Sequence, residues 1–351
     1  MRRNVFLFLS LLLFVSCQPT EEETHKPIPY ALPQPLFFPT TTNIPEDNPM
    51  TEEGVALGKL LFNDTHASTT NGRHVTCCAS CHRSEYGFEF GPEGSLQNLG
   101  THHTMLPLVN PAWNTTGFGW NGAVASLEDM VYAAFTDPAE IDADTGRVVQ
   151  YLQQSDNYPD LFRKAFGTEK IQFGLVQKAI AQYVRTLVSS NSKFDRYLQG
   201  KEQLSQDELN GYLLFVTEDG ADCFHCHGGG VNALFTTNLF YNNGLDSEFH
   251  DPQDRFAVTS DPADRGAYKA PSLRNIALTA PYMHDGRFNT LNEVIDFYSD
   301  SVKYSELIHP LMHHVMQGGV RLTTQEKEQL KAFLNTLTDE DFVDTHQQKR
   351  P

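Results

Sequence analysis

One five-residue motif, C-x-x-C-H, occurs twice in this chain and constrains its fold more than any other feature. It occupies residues 78–82 and again residues 223–227. With six cysteines and 14 histidines among 351 residues, chance predicts about 0.004 copies of such a motif, so the two copies are not accidental. The motif residues are Cys78, Cys81 and His82 in the first copy and Cys223, Cys226 and His227 in the second.

The spacing of the motif suits covalent attachment of haem. Two thiols three residues apart can form thioethers with the vinyl groups of one haem, and the adjacent histidine then ligates the iron. The sequence therefore predicts two c-type haems, with His82 and His227 as iron ligands. The alternative is one zinc ion bound by the four motif cysteines, which leaves both histidines unexplained. We expect Cys77 to be a spare buried thiol and His225 to face outward.

The net charge of the chain excludes one class of partner. Lys and Arg total 26 against 44 Asp and Glu, which gives a formal net charge of −18. Binding to a phosphate backbone requires clustered cations, so we expect no nucleic-acid partner. An acidic surface of this kind suits a macromolecular partner that carries positive charge.

The first residues have the layout of an export signal. Two arginines precede an apolar run at 5–15, and Ser16-Cys17 follows. This run is too short to span a bilayer, which takes about 20 helical residues. We expect residues 1–17 to be a lipoprotein-type signal peptide, with Cys17 lipidated and the protein anchored to the membrane in the periplasm; an ordinary signal peptide cut nearby is the alternative. Residues 18–46 are expected to be a tether and an extended arm.

Helical periodicity predominates along the rest of the chain, and strand signals are scarce. The clearest helix is predicted over 173–188, where apolar residues recur at helical spacing. We expect a mainly α protein with two cytochrome c-like haem domains, at 47–195 and 196–342, long loops, and a tail at 343–351. Shorter helices are predicted at 54–62, 127–135, 147–152, 207–215 and 330–337, the last opened by a capping box from Thr323 to Glu326.

Six segments share their order and spacing with one known family. They are V-T-C-C-A-S-C-H at 75–82, L-P-L-V-N at 106–110, G-W-N-G at 119–122, D-P-A-E-I at 137–141, R-F-A-V-T at 255–259 and A-P-S-L-R-N-I-A-L-T-A-P-Y-M-H-D-G-R-F at 270–288. From about Pro45 to Thr338 the chain resembles the bacterial di-haem cytochrome c peroxidases, a family that includes the MauG-type enzymes. The resemblance implies an enzyme that reduces hydrogen peroxide to water with electrons from reduced cytochrome c or a similar small donor.

The resemblance also implies a division of labour between the two haems. The haem on His82 would be the peroxide site, and the haem on His227 would be the site where electrons enter. Trp120 falls where the family has a tryptophan between the haems, although without the flanking pattern it would be read as a core aromatic. Glu140 matches the family's distal acid, the group that moves protons during peroxide cleavage.

The sixth ligand of the second haem separates two functional alternatives. Classical peroxidases have methionine at this position, whereas the aligned residue here is Tyr298, as in MauG-type proteins, with Met312 and Met316 nearby as alternatives. Tyrosine ligation would suit a MauG-like oxidase that modifies a partner protein. A non-enzymatic di-haem electron carrier, with both irons saturated by protein ligands, is the third alternative, and assembly into a homodimer stays open.

Two further features follow from the resemblance. It implies a calcium ion between the domains, with Thr279 and Pro281 as carbonyl donors and Thr104 where the family has a side-chain ligand. No histidine stands at the family's blocking position near 96–97, so we expect the first iron to be open. The histidine pair at 102–103 offers a substitute ligand or a role outside the iron's coordination.

Overall fold

The computed structural model describes residues 26–66, 77–91, 103–229 and 232–346, and these residues form a mainly helical protein, as the sequence predicts. No helix in these ranges is long and apolar enough to cross a membrane. The helices are α1 (Glu52–Asn63), α2 (Cys78–Cys81), α3 (Leu127–Thr136), α4 (Thr145–Gln154), α5 (Tyr158–Phe166), α6 (Phe173–Arg185), α7 (Lys193–Leu198), α8 (Gln206–Phe215), α9 (Phe224–His227), α10 (Phe256–Thr259), α11 (Leu291–Asp300), α12 (Thr324–Asn335) and α13 (Glu340–Thr345).

Strand structure in the described ranges is limited to one short pair. Strand β1 (Phe240–Tyr241) pairs antiparallel with β2 (Tyr268–Lys269). The Lys269 amide also donates to the carbonyl oxygen of Trp120 at 2.8 Å, which fixes β2 against the Trp120 segment. Short 3-10 turns are formed by Ser84–Tyr86, Pro111–Trp113, Pro262–Asp264, Ile276–Leu278 and Val315–Gln317.

Helix ends follow local capping chemistry more closely than apolar periodicity. Helix α6 ends at Arg185 instead of at residue 188, because the next two amides bond back to the carbonyls of Tyr183 and Val184 and tighten the last turn. The capping box predicted for α12 is present, with the Thr323 hydroxyl accepting from the Glu326 amide. The sequence patterns do not predict α5, α7, α10, α11 or α13, nor the four-residue helices α2 and α9 within the haem motifs; the longest of these, α11, has ten residues.

Each half of the molecule is built on one pair of crossing helices, α1 on α6 and α8 on α12. The helices approach closely because a glycine lies at each crossing point. A methyl group on Gly58 would overlap the Ala179 carbonyl oxygen, and one on Gly211 would overlap the Gln329 carbonyl oxygen. Only glycine allows backbones to pack at this distance.

Both crossing glycines begin a repeated sequence, Gly-x-Leu-Leu-Phe, at 58–62 and 211–215. Phe62 packs edge-on against Tyr183 with ring centroids 5.2 Å apart. The phenylalanine that ends the second copy packs at the same 5.2 Å against Phe333. The two halves therefore place equivalent helix pairs around equivalent haem motifs, and each pair anchors its own apolar core.

A buried ion pair ties α7 to the loop that follows β2. The Arg274 guanidinium donates two hydrogen bonds to the Asp195 carboxylate, at 2.6 and 2.8 Å, and both side chains are almost fully buried. Burial opposes ionisation of Asp195, but the guanidinium outweighs it, so the pKa of this carboxyl lies below its usual value. Arg274 also donates to the Ala233 carbonyl at 2.6 Å.

The N-terminal arm and the C-terminal helix both pack against other parts of the molecule. Phe38, in the arm, packs edge-on against Trp113 with ring centroids 4.9 Å apart, and this small cluster also contains Leu234 from the second half. At the other end, Phe342 of α13 packs against Phe88 in the first core. The C-terminal helix therefore packs on the first half of the molecule. Residues 343–345, expected from the sequence to belong to a tail, are part of this helix.

Candidate functional site

Two adjoining cavities contain the two C-x-x-C-H motifs. The first cavity, of about 490 Å³, is lined by the first motif with His82, and the second, of about 210 Å³, by the second motif with His227. Because the two cysteine pairs line different cavities, they do not form one four-cysteine zinc site. Among the described residues, two groups of side chains could bind a metal ion, and both consist of histidine and aspartate without cysteine.

The two motif histidines share one orientation. The ring Nδ1 atom of His82 lies 2.8 Å from the Phe88 carbonyl oxygen, and that of His227 lies 3.1 Å from the Pro271 carbonyl oxygen. A proton held on Nδ1 by these carbonyls makes Nε2 the nitrogen that would bind iron, which is the usual arrangement at metal-bound histidines. Burial lowers the pKa of both rings to about 4, so both are neutral.

The donor set fits covalent haem in both cavities. Each cavity combines two thiols, one oriented neutral imidazole and a mainly apolar lining. Cys77 is buried at the N-cap of α2, as expected of a structural thiol. His225 does not simply face outward, because its Nδ1 lies 2.6 Å from a carboxylate oxygen of Asp222.

Glu140 lies in the first cavity, beside the thiols of the first motif. A turn after α3, closed by a 3.0 Å hydrogen bond from the Glu140 amide to the Asp137 carbonyl, returns the side chain to the cavity. Burial, with a smaller contribution from the Asp137 carboxylate, raises the pKa of Glu140 to about 7. Met130 lines the same cavity.

Trp120 lines both cavities, so one side chain borders both haem sites. Its indole Nε1 donates to the Thr104 carbonyl oxygen at 2.8 Å, which fixes the plane of the ring. The ring of His284 lies edge-on to it, with centroids 6.4 Å apart. A role for Trp120 in coupling the two sites stays a prediction.

A polar and aromatic network surrounds Trp120. The Tyr268 hydroxyl donates to the Asp251 carboxylate at 2.7 Å, and the same carboxylate oxygen lies 2.5 Å from His103 Nε2. The Tyr268 ring stacks on His284 with centroids 3.6 Å apart. Burial and the Asp251 carboxylate both raise the pKa of Tyr268, so its phenol stays protonated. His103 therefore lies at the first cavity but is already engaged by Asp251.

Tyr298 lines the second cavity. Its hydroxyl accepts a hydrogen bond from the Asn243 side-chain amide at 2.9 Å, and burial raises its pKa. Met312 also lines this cavity and packs in the same apolar cluster as Tyr298. Met316 is 75% exposed, so it would have to move inward to ligate iron.

The residues expected at a calcium site lie together beside the second cavity. Thr104, Thr279 and Pro281 all line it. The Thr104 hydroxyl donates to the Met283 carbonyl oxygen at 3.0 Å, so this side chain joins the 103–105 segment to the Pro281 loop. Residues 96–97 and His102 fall outside the described residues, as do residues 1–25 with Cys17.

Two buried ionisable residues, Glu89 and Lys269, are not predicted from the sequence. Glu89 is buried, its carboxylate accepts from the Gly91 amide at 2.7 Å, and burial raises its pKa to about 7. Lys269 lines both cavities, its ammonium donates to the Thr116 hydroxyl at 2.9 Å, and burial lowers its pKa to about 7. Of the two, only Glu89 has a sequence feature that could have indicated burial, because it lies between two phenylalanines at 88 and 90.

Comparison with known proteins identifies relatives over most of the chain. The sequence profile of the family described as di-haem cytochrome c peroxidase matches residues 52–203. The methylamine utilization protein MauG of Methylorubrum extorquens is 35% identical over 309 residues, which cover 86% of this chain and 83% of that protein. The cytochrome c551 peroxidase of Nitrosomonas europaea is 33% identical over 309 residues, which cover 84% and 81%.

A solved structure supports the same assignment. A MauG-like protein associated with microbial copper homeostasis matches with a TM-score of 0.80 and 33% identity, over 92% of this chain and 99% of that one. Sequence identity and fold thus agree over nearly the whole length. The chain therefore belongs to the di-haem cytochrome c peroxidase family, which includes the MauG proteins, and it binds two c-type haems.

Proposed function

We propose that this protein reduces hydrogen peroxide to water, with electrons from a reduced c-type cytochrome or a similar small donor. One peroxide, two electrons and two protons give two waters. The observation that carries the proposal is the position of Glu140, an acid with a raised pKa in the cavity of the first motif. The first cavity is also the larger of the two.

Each cavity has a separate role in the proposed reaction. When bound, the haems would supply iron centres that exchange electrons, held by His82 in the first cavity and by His227 in the second. Glu140 would take a proton from one peroxide oxygen and deliver it to the other as the O–O bond breaks. His82 stays neutral and fixed by its bond to the Phe88 carbonyl, and Trp120 couples the two cavities.

Replacing Glu140 tests the proton-transfer role. Acid–base assistance typically contributes about 10² to 10⁴-fold, so Glu140→Gln should reduce peroxide turnover by a factor in that range with both haems still bound. In the parent protein, turnover should fall as the pH decreases through about 7, because Glu140 must be ionised to accept a proton. The Gln variant should lose this decrease in turnover at low pH, the acid limb of the pH profile. Steady-state peroxide consumption across pH 5–9 measures both effects.

Two carboxylates serve as matched controls. Asp137→Asn removes an exposed acid that raises the pKa of Glu140, so the acid limb should shift to lower pH with turnover within about threefold. Glu89→Gln removes a buried acid of similar pKa that does not line the first cavity, and it should not change the pH profile. Turnover of Glu140→Gln within about threefold of the parent protein would reject the proton-shuttle role.

A second candidate function is a MauG-like oxidase acting on a partner protein. The observation in its favour is Tyr298, which lines the second cavity and which the resemblance aligns with the methionine of classical peroxidases. Similarity to the MauG protein of Methylorubrum extorquens agrees with it. A plain electron carrier is the weakest alternative, since it would need no acid such as Glu140 in the first cavity.

Several finer features are part of the proposal. Export to the periplasm with a lipid anchor at Cys17 rests on the pattern of residues 1–17. A calcium ion held by the carbonyls of Thr279 and Pro281 would stabilise the junction between the haem domains proposed at 47–195 and 196–342. Metal analysis of the purified protein, and mass spectrometry of its N-terminus, test these features.

A further inference from the structure

A group of metal-ligating side chains lies beside the second motif, outside the catalytic residues named above. Asp222 directly precedes the motif, His225 lies inside it, and His313 comes from the loop after α11. One ligand atom from each residue lies within 4.8 Å of the other two. His225 Nδ1 is 2.6 Å from one Asp222 carboxylate oxygen, and His313 Nδ1 is 3.5 Å from the other.

The separation between Asp222 and His313 is close to that of two ligands of one ion, whereas the shorter one between His225 and Asp222 is a hydrogen-bond distance and would have to lengthen. Bonds of about 2.0–2.1 Å at tetrahedral angles place ligand atoms about 3.3 Å apart, so small side-chain shifts would complete the geometry. The Asp222 side chain is 6% exposed, whereas that of His313 is 41% exposed. A buried carboxylate thus anchors the group, and a half-exposed histidine gives an ion access from solvent.

Neighbouring groups orient the ligands. A carboxylate oxygen of Glu218 lies 3.5 Å from His225 Nε2, the ring nitrogen that would not bind the ion. Metal-ligating histidines usually pair their second ring nitrogen with a carboxylate or carbonyl in this way. The Glu218 carbonyl oxygen lies 2.9 Å from His314 Nε2, which holds the His313 loop against the motif segment.

The donor atoms determine the class of ion. Two imidazole nitrogens and one carboxylate oxygen suit Zn²⁺ or Cu²⁺, whereas Ca²⁺ and Mg²⁺ prefer oxygen ligands throughout. Three protein ligands also leave a position for water. We infer that Asp222, His225 and His313 bind one divalent transition-metal ion, such as Zn²⁺, at the rim of the second cavity.

The bound ion would join two segments that frame the second haem site. Asp222 and His313 both line the second cavity, and the His313 loop also carries Met312. The ion would therefore fix the His313 loop to the segment of the second motif. It would also add positive charge beside the second haem. This inference concerns metal binding and does not depend on peroxide turnover.

Equilibrium dialysis of the holoprotein against Zn²⁺, followed by metal analysis, tests the site. His313→Ala and Asp222→Asn should each weaken Zn²⁺ binding at least about tenfold, since each removes one of three ligands. Asp251→Asn is the matched control, because Asp251 with His103 and His284 forms the other group of potential ligands. Unchanged affinity in both His313→Ala and Asp222→Asn overturns the inference, as does loss of binding only in Asp251→Asn.

A measurement on the unmodified sequence avoids reliance on variants. Diethyl pyrocarbonate modifies accessible histidines, and peptide mass spectrometry reports the rate at each one. Zn²⁺ should slow modification of His225 and His313 at least several-fold. His250, whose Nε2 lies 3.2 Å from the exposed Glu248 carboxylate, is the control and should be unaffected. Equal modification of His313 with and without Zn²⁺ contradicts the site.

Discussion

At the residue scale, Glu140 and Glu89 show how little burial alone says about function. Burial raises the pKa of both carboxyl groups to about 7. Only Glu140 lines a cavity, whereas the Glu89 carboxylate accepts from the Gly91 amide. A raised pKa makes either group suited to proton transfer, but access to substrate selects Glu140.

Tyr298 is the proposed sixth ligand of the second haem. Tyr298→Phe removes the hydroxyl and leaves the Asn243 amide without this acceptor, so we expect it to change the absorption spectrum of the second haem. Met312→Leu keeps a similar apolar volume and should leave the spectrum as it is. A spectral change in Met312→Leu and none in Tyr298→Phe would instead support methionine ligation, as in the classical peroxidases.

Residue-scale prediction from the sequence succeeds where the chemistry is local. The two C-x-x-C-H motifs carry their thiols and histidine within five residues, so spacing alone indicates haem. The roles of Glu140 and Trp120 rest on resemblance, because nothing in their neighbouring residues indicates a cavity. The contact of Asp251 with His103 and Tyr268 joins three distant segments, and no sequence pattern predicts it.

At the element scale, the helix crossings depend on glycine. Gly211→Ala would push a methyl group into the Gln329 carbonyl oxygen, and a backbone atom cannot rotate away. We expect a loss of at least about 1–3 kcal/mol in unfolding free energy, measured by chemical denaturation. In Gly174→Ala, within α6, the added methyl meets nothing closer than 3.9 Å, so this control should gain about 0.5–1 kcal/mol. Equal effects of the two changes would refute the close crossing.

The buried Arg274–Asp195 ion pair should make the stability of the protein sensitive to acid. Asp195→Asn leaves a buried guanidinium without its countercharge, which should cost about 3–5 kcal/mol in unfolding free energy. The folded-state pKa of Asp195 is lowered, so its stabilisation is present above the unfolded pKa and is lost as the pH falls through the folded pKa. Glu202→Gln, at the more exposed Arg196 pair, should change stability by less than about 1 kcal/mol.

Short elements explain where the helix predictions fall short. Helix α7 has only six residues, and its start is marked by a capping box between Ser192 and Asp195 rather than by apolar periodicity. Helix α13 is equally short, and one buried residue, Phe342, holds it to the first core. Packing against distant residues stabilises such helices, so local sequence gives little indication of them.

At the scale of the whole molecule, the sequence predicts the mainly helical class and one haem motif in each half. The structure adds the closeness of the two cavities, which adjoin at Trp120. It also adds the exchange of segments between halves, since the N-terminal arm packs near Leu234 and α13 packs near Phe88. These long-range contacts leave no local pattern, so they cannot be deduced from periodicity or motif spacing.

The central claim is that two haem sites in adjoining cavities act together on peroxide. Its most direct test is the steady-state oxidation of a reduced c-type cytochrome by hydrogen peroxide, with holoprotein in which both haems have been verified. We expect peroxide-dependent turnover in which two cytochromes are oxidised for each peroxide consumed, because peroxide reduction takes two electrons and the donor supplies one at a time. Holoprotein with both haems that consumes no peroxide in the presence of reduced cytochrome would contradict the proposed function.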